Sequence, residues 1–499
     1  MATSLRHPVI DHAPAWRTDN PHLNGAWAPW TEETSAFDVP VEGTIPEDLA
    51  GALFRISANP RFEPIDLETY HWFDGDGMVG GIYIRDGKVS YRQKWVETAS
   101  MAVELAARQA LYPGLVNGSK GRPLPAGAPP MKNVANITAG LFAGRLLAYF
   151  EGGLPTEMHP LTLATRGSFD FHGRVNQTCA AHYKIDPVSG DMLCFGALGS
   201  QITYFQANAS TAEIVDMHIF DIGLPVMMHD FAVTENYAIF FVTAVQIRVD
   251  LAMQGKPAMV WDESGLPNGT RIVLMNRHTH DLTWHDVGRQ FVNTHNYNAY
   301  ELDGKVFIHG HSLDRMGTPI EHLDRPVTSK EWMESPPSLP HRWTIDLSTG
   351  RVHEERLSDL AGDFPKINDA LTTRHHRFGY WTATTKSGSE AMTFGLVKHD
   401  LERGSIDLIE SPDASLTQPT EVVFVARRGA VEEDDGYLLS LWWNRETRLS
   451  ELLVHSAKEP SHNPLARVRL PARLPYGPHG NWADAESLDQ AAAAYATGN

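Results

Sequence analysis

The feature that most constrains this chain is a succession of strand-sized runs, rich in aromatic and β-branched residues, that recurs from one end to the other. GALFRIS (51–57), GRLLAYFE (144–151), YAIFFVTAV (237–245), KVFIHGH (305–311), GYWTATT (379–385) and YLLSLWW (437–443) are examples, each bounded by Gly, Asp or Asn. Such runs fit half-buried strands punctuated by turns. Helical spacing of apolar residues is scarce: MAVELAARQAL (101–111) carries it best, and an Ala-rich stretch follows Asn481. The chain therefore reads as all-β. Three connecting segments share the form apolar-polar-Asp-x-x-x-Gly: YKIDPVSGDM (Asp186, Gly190), WTIDLSTGRV (Asp346, Gly350) and VKHDLERGSI (Asp400, Gly404). The Asp can accept from its own backbone to start a turn, and the Gly supplies positive φ before the return strand. Repeated outer hairpins of this kind suit the blades of a β-propeller, and a sandwich would show them too.

No composition shift divides the chain. The Gly/Pro-rich segment 113–130 and the Pro-rich region 312–340 read as loops, with strand signals resuming on both sides. A single domain over 37–484 is expected, with an N-terminal extension (1–36) and a C-terminal tail (485–499). Lys and Arg number 42 against 61 Asp and Glu, a net charge of −19, which disfavours nucleic acid and anionic membrane as partners. No run of 18 apolar residues exists, and the N-terminus lacks the basic start and apolar run of a secretory signal. Two cysteines, Cys179 and Cys194, cannot build a disulfide framework, so a cytoplasmic location is expected. No Walker loop, dinucleotide Gly fingerprint or Gly-x-Ser-x-Gly elbow is present. FDGDGM (73–78) lacks the Glu and flanking helices of a calcium hand and reads as a tight turn.

Histidine is the unusual count: 24 of 499 residues. His309 and His311 alternate on one strand and could form a ligand pair, although strand histidines are usually hydrogen-bonded. Four others sit beside strand-like or tight-turn segments: His182 in CAAHYKIDP, His229 in VMMHDFAVTENY, His295 in NTHNYNAYE and His479 in LPYGPHGNW. They are separated by 47, 66 and 184 positions. That spread excludes a zinc finger, whose ligands are local. It permits four strands that converge on one axis, each presenting one imidazole.

The chain resembles the carotenoid cleavage oxygenase family, which includes lignostilbene and stilbene dioxygenases, apocarotenoid oxygenases and plant epoxycarotenoid dioxygenases. The resemblance runs from about Phe37 to Asp484. It is carried in family order by FRISANPRF, HWFDGDGMV, EGGLP, AHYKIDPVSG, MHDFAVTENY, HNYNAYE, DFPKIN, EVVFV, EDDGYLL and HGNW. The resemblance implies a seven-bladed β-propeller with a loop and helix dome over the metal face. It implies that Fe(II) is held by His182, His229, His295 and His479, with carboxylates of Glu151, Asp363 and Glu421 behind three of them. Imidazole alone would also suit Zn, Cu or Ni. A ligating imidazole usually gives its second N–H to a carboxylate, which fixes its tautomer.

Two positions depart from the family pattern. Asp363 stands where the family usually has Glu, one methylene longer. Met101 stands where the family often has an aromatic residue, a substrate-binding Tyr in stilbene cleavers. Lys132 matches a family lysine that could assist a phenolate. The activity so implied is cleavage of a C=C double bond by dioxygen into two carbonyl products. The expected substrate is a small hydrophobic aryl alkene (a stilbene, isoeugenol or 4-vinylguaiacol), with apocarotenoids as the alternative. No organic cofactor or protein partner is implied. Retention of all four His and three carboxyl groups argues against a propeller that only binds partners.

Overall fold

The computed structural model describes residues 14, 16, 18–325, 327–332, 334–387 and 391–496. Residues 1–13, 15 and 17 of the expected extension, and 497–499 of the tail, lie outside the described residues. The chain folds as sheets laid down one after another. Among the described residues, five are four-stranded antiparallel meanders, which begin at the strands Thr138–Phe142, Lys184–Ile185, Ala232–Val233, Val292–Leu302 and Gly362–Lys366. A small three-stranded sheet (Val245–Ile247, Met259–Trp261, Thr318–Pro319) stands apart from them.

The two remaining sheets are built from both ends of the chain. Strand Gly51–Ala58 pairs antiparallel with Gly480–Asp484, from Gly51 opposite Asp484 to Arg55 opposite Gly480. Val41–Gly43 pairs with Ala466–Arg469 in the neighbouring sheet. Terminal strands joined in this way occupy edges that would otherwise expose unpaired N–H and C=O groups. Residues around both expected domain borders pack on this body. Thr34–Ala36 pairs with Tyr91–Gln93, Trp30 is buried, and helix Ala485–Ala496 buries Leu488 and Ala491.

The turns show why the sheets repeat. Asp186, Asp346 and Asp400 each accept through Oδ1 from a backbone N–H two or three residues on. Gly190, Gly350 and Gly404 then bond back to the Asp carbonyl with φ between +66° and +75°. The same five-residue turn recurs with other residues. Asn276 and Asn444 take the Asp role, and His280 (φ +63°) and Arg448 (φ +60°) take the Gly role. Only a short acceptor and a tolerated left-handed residue are needed, so the repeat is wider than its Asp/Gly signature.

The helix expected at 101–111 spans Ala99–Ala107, with Thr98 capping Met101 N. Between the sheets lie aromatic clusters such as Phe241, Phe291 and Trp343. Four histidines outside the candidate site, His309, His376, His399 and His455, are each 1% exposed. Among the described residues, His309 and His455 have no hydrogen-bond partner at either ring nitrogen. Burial holds His376 down to about 3 and His399 and His455 down to about 4, and holds His309 well below its ordinary value.

The unfolded chain therefore binds more protons than the native one once pH falls below about 6.5. Stability is fully present above that value and is lost as pH drops towards the native pKa values. The slope is up to about 1.4 kcal/mol per pH unit for each such histidine. Urea unfolding should show a midpoint that is flat from pH 8 to 7 and falls steeply from pH 6 to 4. Double substitution of His309 and His455 by Gln should flatten that fall.

Candidate metal centre

Each of the four singled-out histidines lies on or beside the strand that forms the edge of its sheet. His182 precedes Lys184–Ile185, His229 precedes Ala232–Val233, His295 lies within Val292–Leu302, and His479 precedes Gly480–Asp484. The four edges converge. One ligand atom from each imidazole lies within 4.8 Å of the others. Nε2 of His229 is 3.2 Å from Nε2 of His182 and 3.0 Å from Nε2 of His295. His295 and His479 are buried; His182 and His229 are half-buried.

Three of the rings meet a carboxylate on their far side. His295 Nδ1 is 2.8 Å from Asp363 Oδ1, His479 Nδ1 is 2.9 Å from Glu421 Oε1, and His229 Nδ1 bonds Glu151 Oε1. An ionised carboxylate can only accept, so Nδ1 carries the proton and donates it. Nε2 is then a lone pair aimed inward. Lone pairs facing each other at such short range repel, and Nε2 of His479 is buried with no hydrogen-bond partner among the described residues. A divalent cation at the point of convergence would satisfy all of them, so the residues fit a metal.

For His182 and His479 the protonation states agree with that reading, whereas at His229 the neighbouring carboxylate favours the cation that a metal would displace. Burial, then the charge of His479, His229 and His295, holds His182 well below its ordinary pKa. Burial likewise holds His479 down to about 3. For His229 burial opposes the charged form, but Glu151 outweighs it and raises the pKa. Burial alone would raise Glu421, yet Lys366, His479 and Arg55 bring it down to about 2. His182, for its part, is paired with none of the three carboxylates.

Asp363 reaches its imidazole although it is one methylene short. The strand Gly362–Lys366 carries a bulge between Asp363 and Lys366, and Phe364 takes φ +62°. A non-glycine residue there costs about 1–3 kcal/mol and marks a site over-determined by its surroundings. The displaced backbone carries the short carboxylate forward. It also lays the Phe364 ring against His295 and His479, with centroids 5.2 Å and 5.4 Å apart.

His229, His295 and His479 line a cavity of about 430 Å³ with mostly apolar walls that include Phe73, Phe150, Phe195 and Phe364. One part of the wall is charged. Lys132 Nζ lies 2.9 Å from Asp76 Oδ1 and 2.9 Å from Glu104 Oε2. Glu104 is fixed through Oε1 by Leu111 N and Tyr112 N, and Asp76 through Oδ2 by Arg61 N. Asp74 in the same wall is raised to about 6 by burial. Met101 does not line the cavity. It is buried in the core cluster with Trp95, and the carboxylate one helical turn on, Glu104, faces the cavity instead.

Sequence reasoning did not find Phe364, Glu104 or the pocket role of Asp76. Only the paired aspartates of FDGDGM offered a signal. His309 and His311 do not join the centre; His311 is bonded to Gly362 O and Tyr297 Oη.

Because the bulge is matched to an aspartate, Asp363→Glu should overshoot and weaken divalent metal affinity, even though it restores the residue expected from family resemblance. Asp363→Ala should weaken it about 10- to 100-fold. Competition with a chromophoric chelator measures both, and a tighter Glu variant would contradict the geometry.

The chain is similar to known proteins over nearly its whole length. The family model described as retinal pigment epithelial membrane protein matches residues 27–484. Carotenoid 9,10(9',10')-cleavage dioxygenase 1 of Arabidopsis thaliana is 31% identical over 94% of this chain and 91% of its own. Isoeugenol monooxygenase of Pseudomonas nitroreducens is 30% identical over 93% of this chain and 98% of its own. The crystal structure of Pseudomonas brassicacearum lignostilbene dioxygenase superposes with a TM-score of 0.83 at 27% identity, covering 93% of this chain and 99% of that one.

Proposed function

This chain belongs to the retinal pigment epithelial membrane protein family, the carotenoid cleavage oxygenases, and we propose that it is an Fe(II) enzyme that splits the C=C bond of a compact aryl alkene with dioxygen. It is an oxidoreductase that incorporates oxygen from O2. The observation that carries the proposal is the convergence of His182, His229, His295 and His479 beside an apolar cavity, with Glu151, Asp363 and Glu421 behind three of the rings.

When bound, Fe(II) supplies the capacity to take up dioxygen and direct it at an electron-rich alkene. The four neutral imidazoles hold it without cancelling its charge. The three carboxylates keep the Nδ1 protons in place and the Nε2 lone pairs inward. Phe364 and the other aromatic walls exclude water and press a flat alkene against the centre. The double bond breaks, and each carbon becomes a carbonyl. No external reductant is required by that balance.

The seven sheets of four or more strands we read as the blades of a propeller, with residues 37–484 as one domain. Its closure by strands from both chain ends supports this reading, and the irregular segment 108–137 and helix Ala99–Ala107 supply a dome.

Lys132 bears on the substrate. Two of its three donors are spent on Asp76 and Glu104, whose charges more than offset its own. One donor remains for an oxygen at the far end of a ligand. That arrangement suits an un-ionised phenol or ether of a stilbene, isoeugenol or 4-vinylguaiacol, rather than a phenolate. The mostly apolar aromatic wall, to which position 101 contributes nothing, supports apocarotenoids as a second reading.

Replacement of His229 or His479 by Ala should abolish both iron retention and turnover, followed by metal analysis and product formation; full activity in either variant contradicts the assignment. Lys132→Met should lower the preference for a hydroxylated aryl alkene over its oxygen-free analogue by about tenfold, the value of one hydrogen bond to a charged group. The ratio is taken within one variant, so partial unfolding cancels. An unchanged ratio removes Lys132 from substrate binding.

A further inference from the structure

A single buried carboxylate ties together three of the four segments that carry the imidazoles. Asp230 directly follows His229, Asn296 directly follows His295, and Lys184 lies two residues after His182. Asp230 is 3% exposed. Its Oδ1 accepts from Lys184 Nζ at 2.8 Å and from Phe231 N at 2.8 Å. Its Oδ2 accepts from the backbone N of Asn296 at 2.7 Å and from Asn296 Nδ2 at 3.2 Å. Asn296 is locked in turn by reciprocal side-chain bonds with Asn293 at 3.0 and 3.1 Å.

The three segments belong to three separate sheets. Strand pairing fixes spacing within a sheet, but leaves the distance between edge strands of neighbouring sheets to side-chain contacts. A metal centre needs its ligands held to about 0.5 Å. Glu151, Asp363 and Glu421 orient rings, and none of them bonds the backbone of two ligand segments in different sheets. Asp230 does so. Its four acceptor positions are filled, and one of the bonds goes directly to main-chain N–H beside His295.

We propose that Asp230 is a positioning residue that sets the spacing of His182, His229 and His295, through the side chain of Lys184 on one side and the main chain of Asn296 on the other, and so sets iron affinity and the symmetry of the iron site. The proposal rests on the reading that the four imidazoles hold iron. Asp230→Asn keeps the side chain's shape and can satisfy Lys184 or Asn296 N, but not both. Asp230→Ala breaks both links.

The test is anaerobic Fe(II) titration of the full chain, with the electron paramagnetic resonance spectrum of the nitric oxide adduct recorded for each protein. Expected are one iron per wild-type chain, affinity lowered about tenfold in Asp230→Asn and more in Asp230→Ala, and a broadened, more rhombic spectrum in both. Lys398→Met serves as the control, since it breaks a buried ion pair with Asp434 (2.6 Å) in another sheet. It should lower the unfolding midpoint yet leave iron affinity and spectrum unchanged. Wild-type affinity and spectrum in folded Asp230→Asn would overturn the proposal while leaving the metal reading intact. A wild-type chain that binds no iron would overturn the metal reading, and the proposal with it.

Discussion

The centre of this molecule depends on where the protons of its imidazoles sit. A histidine beside an ionised carboxylate must donate from the nitrogen that faces it, and the opposite nitrogen is then left as a lone pair. Three such lone pairs, joined by that of His182, are directed at one point by the edges of four sheets. The fold brings them together at a cost, because none can bond another without a proton between them. A cation removes that cost. The arrangement is therefore a binding site before it is anything else, and the apolar cavity beside it determines what the bound cation meets.

The carboxylates are not equivalent. Glu421 lies between Arg55 and Lys366, 3.8 and 3.6 Å away, so its charge is largely shared before it reaches His479. Arg55 also donates to the carbonyls of Glu421, Gly477 and Pro478, which clamps the loop that delivers His479. Glu151 and Asp363 have no comparable cationic neighbours among the described ion pairs and give more of their charge to His229 and His295. His182 has no carboxylate behind its ring; its segment is tied to Asp230 through the side chain of Lys184, which makes it a fourth kind of candidate ligand. The four imidazoles thus differ as electron donors although their chemistry is the same, and the difference arises from what stands behind each ring.

How much of this was legible in the sequence follows from which interactions are local. The strand runs and the Asp-x-x-x-Gly turns depend on neighbours in the chain and could be read directly. The same turn written Asn276–His280 or Asn444–Arg448 could not, because its geometry asks only for an acceptor and a left-handed residue. The four histidines stood out from twenty others by family resemblance, not by spacing. Asp363 is visible as a departure from the family pattern; the bulge and the φ of Phe364 that let it reach His295 are backbone events with no signature in DFPKIN. Met101 drew attention as a substrate residue, yet helix phase turns it into the core and turns Glu104 to the cavity. Lys132 was identified, whereas its partners, 56 and 28 residues away in the chain, became visible only when the loops were folded.

The measurement that tests the central claim most directly is mass spectrometry of products formed under isotopically labelled dioxygen. Iron-loaded protein would be offered resveratrol, isoeugenol, 4-vinylguaiacol and an apocarotenal side by side. The account predicts paired carbonyl products, cut at a carbon–carbon double bond, with label from dioxygen in the carbonyl group, and earliest with the aryl alkenes. Cleavage products that draw their oxygen only from water, or a substrate isomerised without consumption of dioxygen, would contradict it.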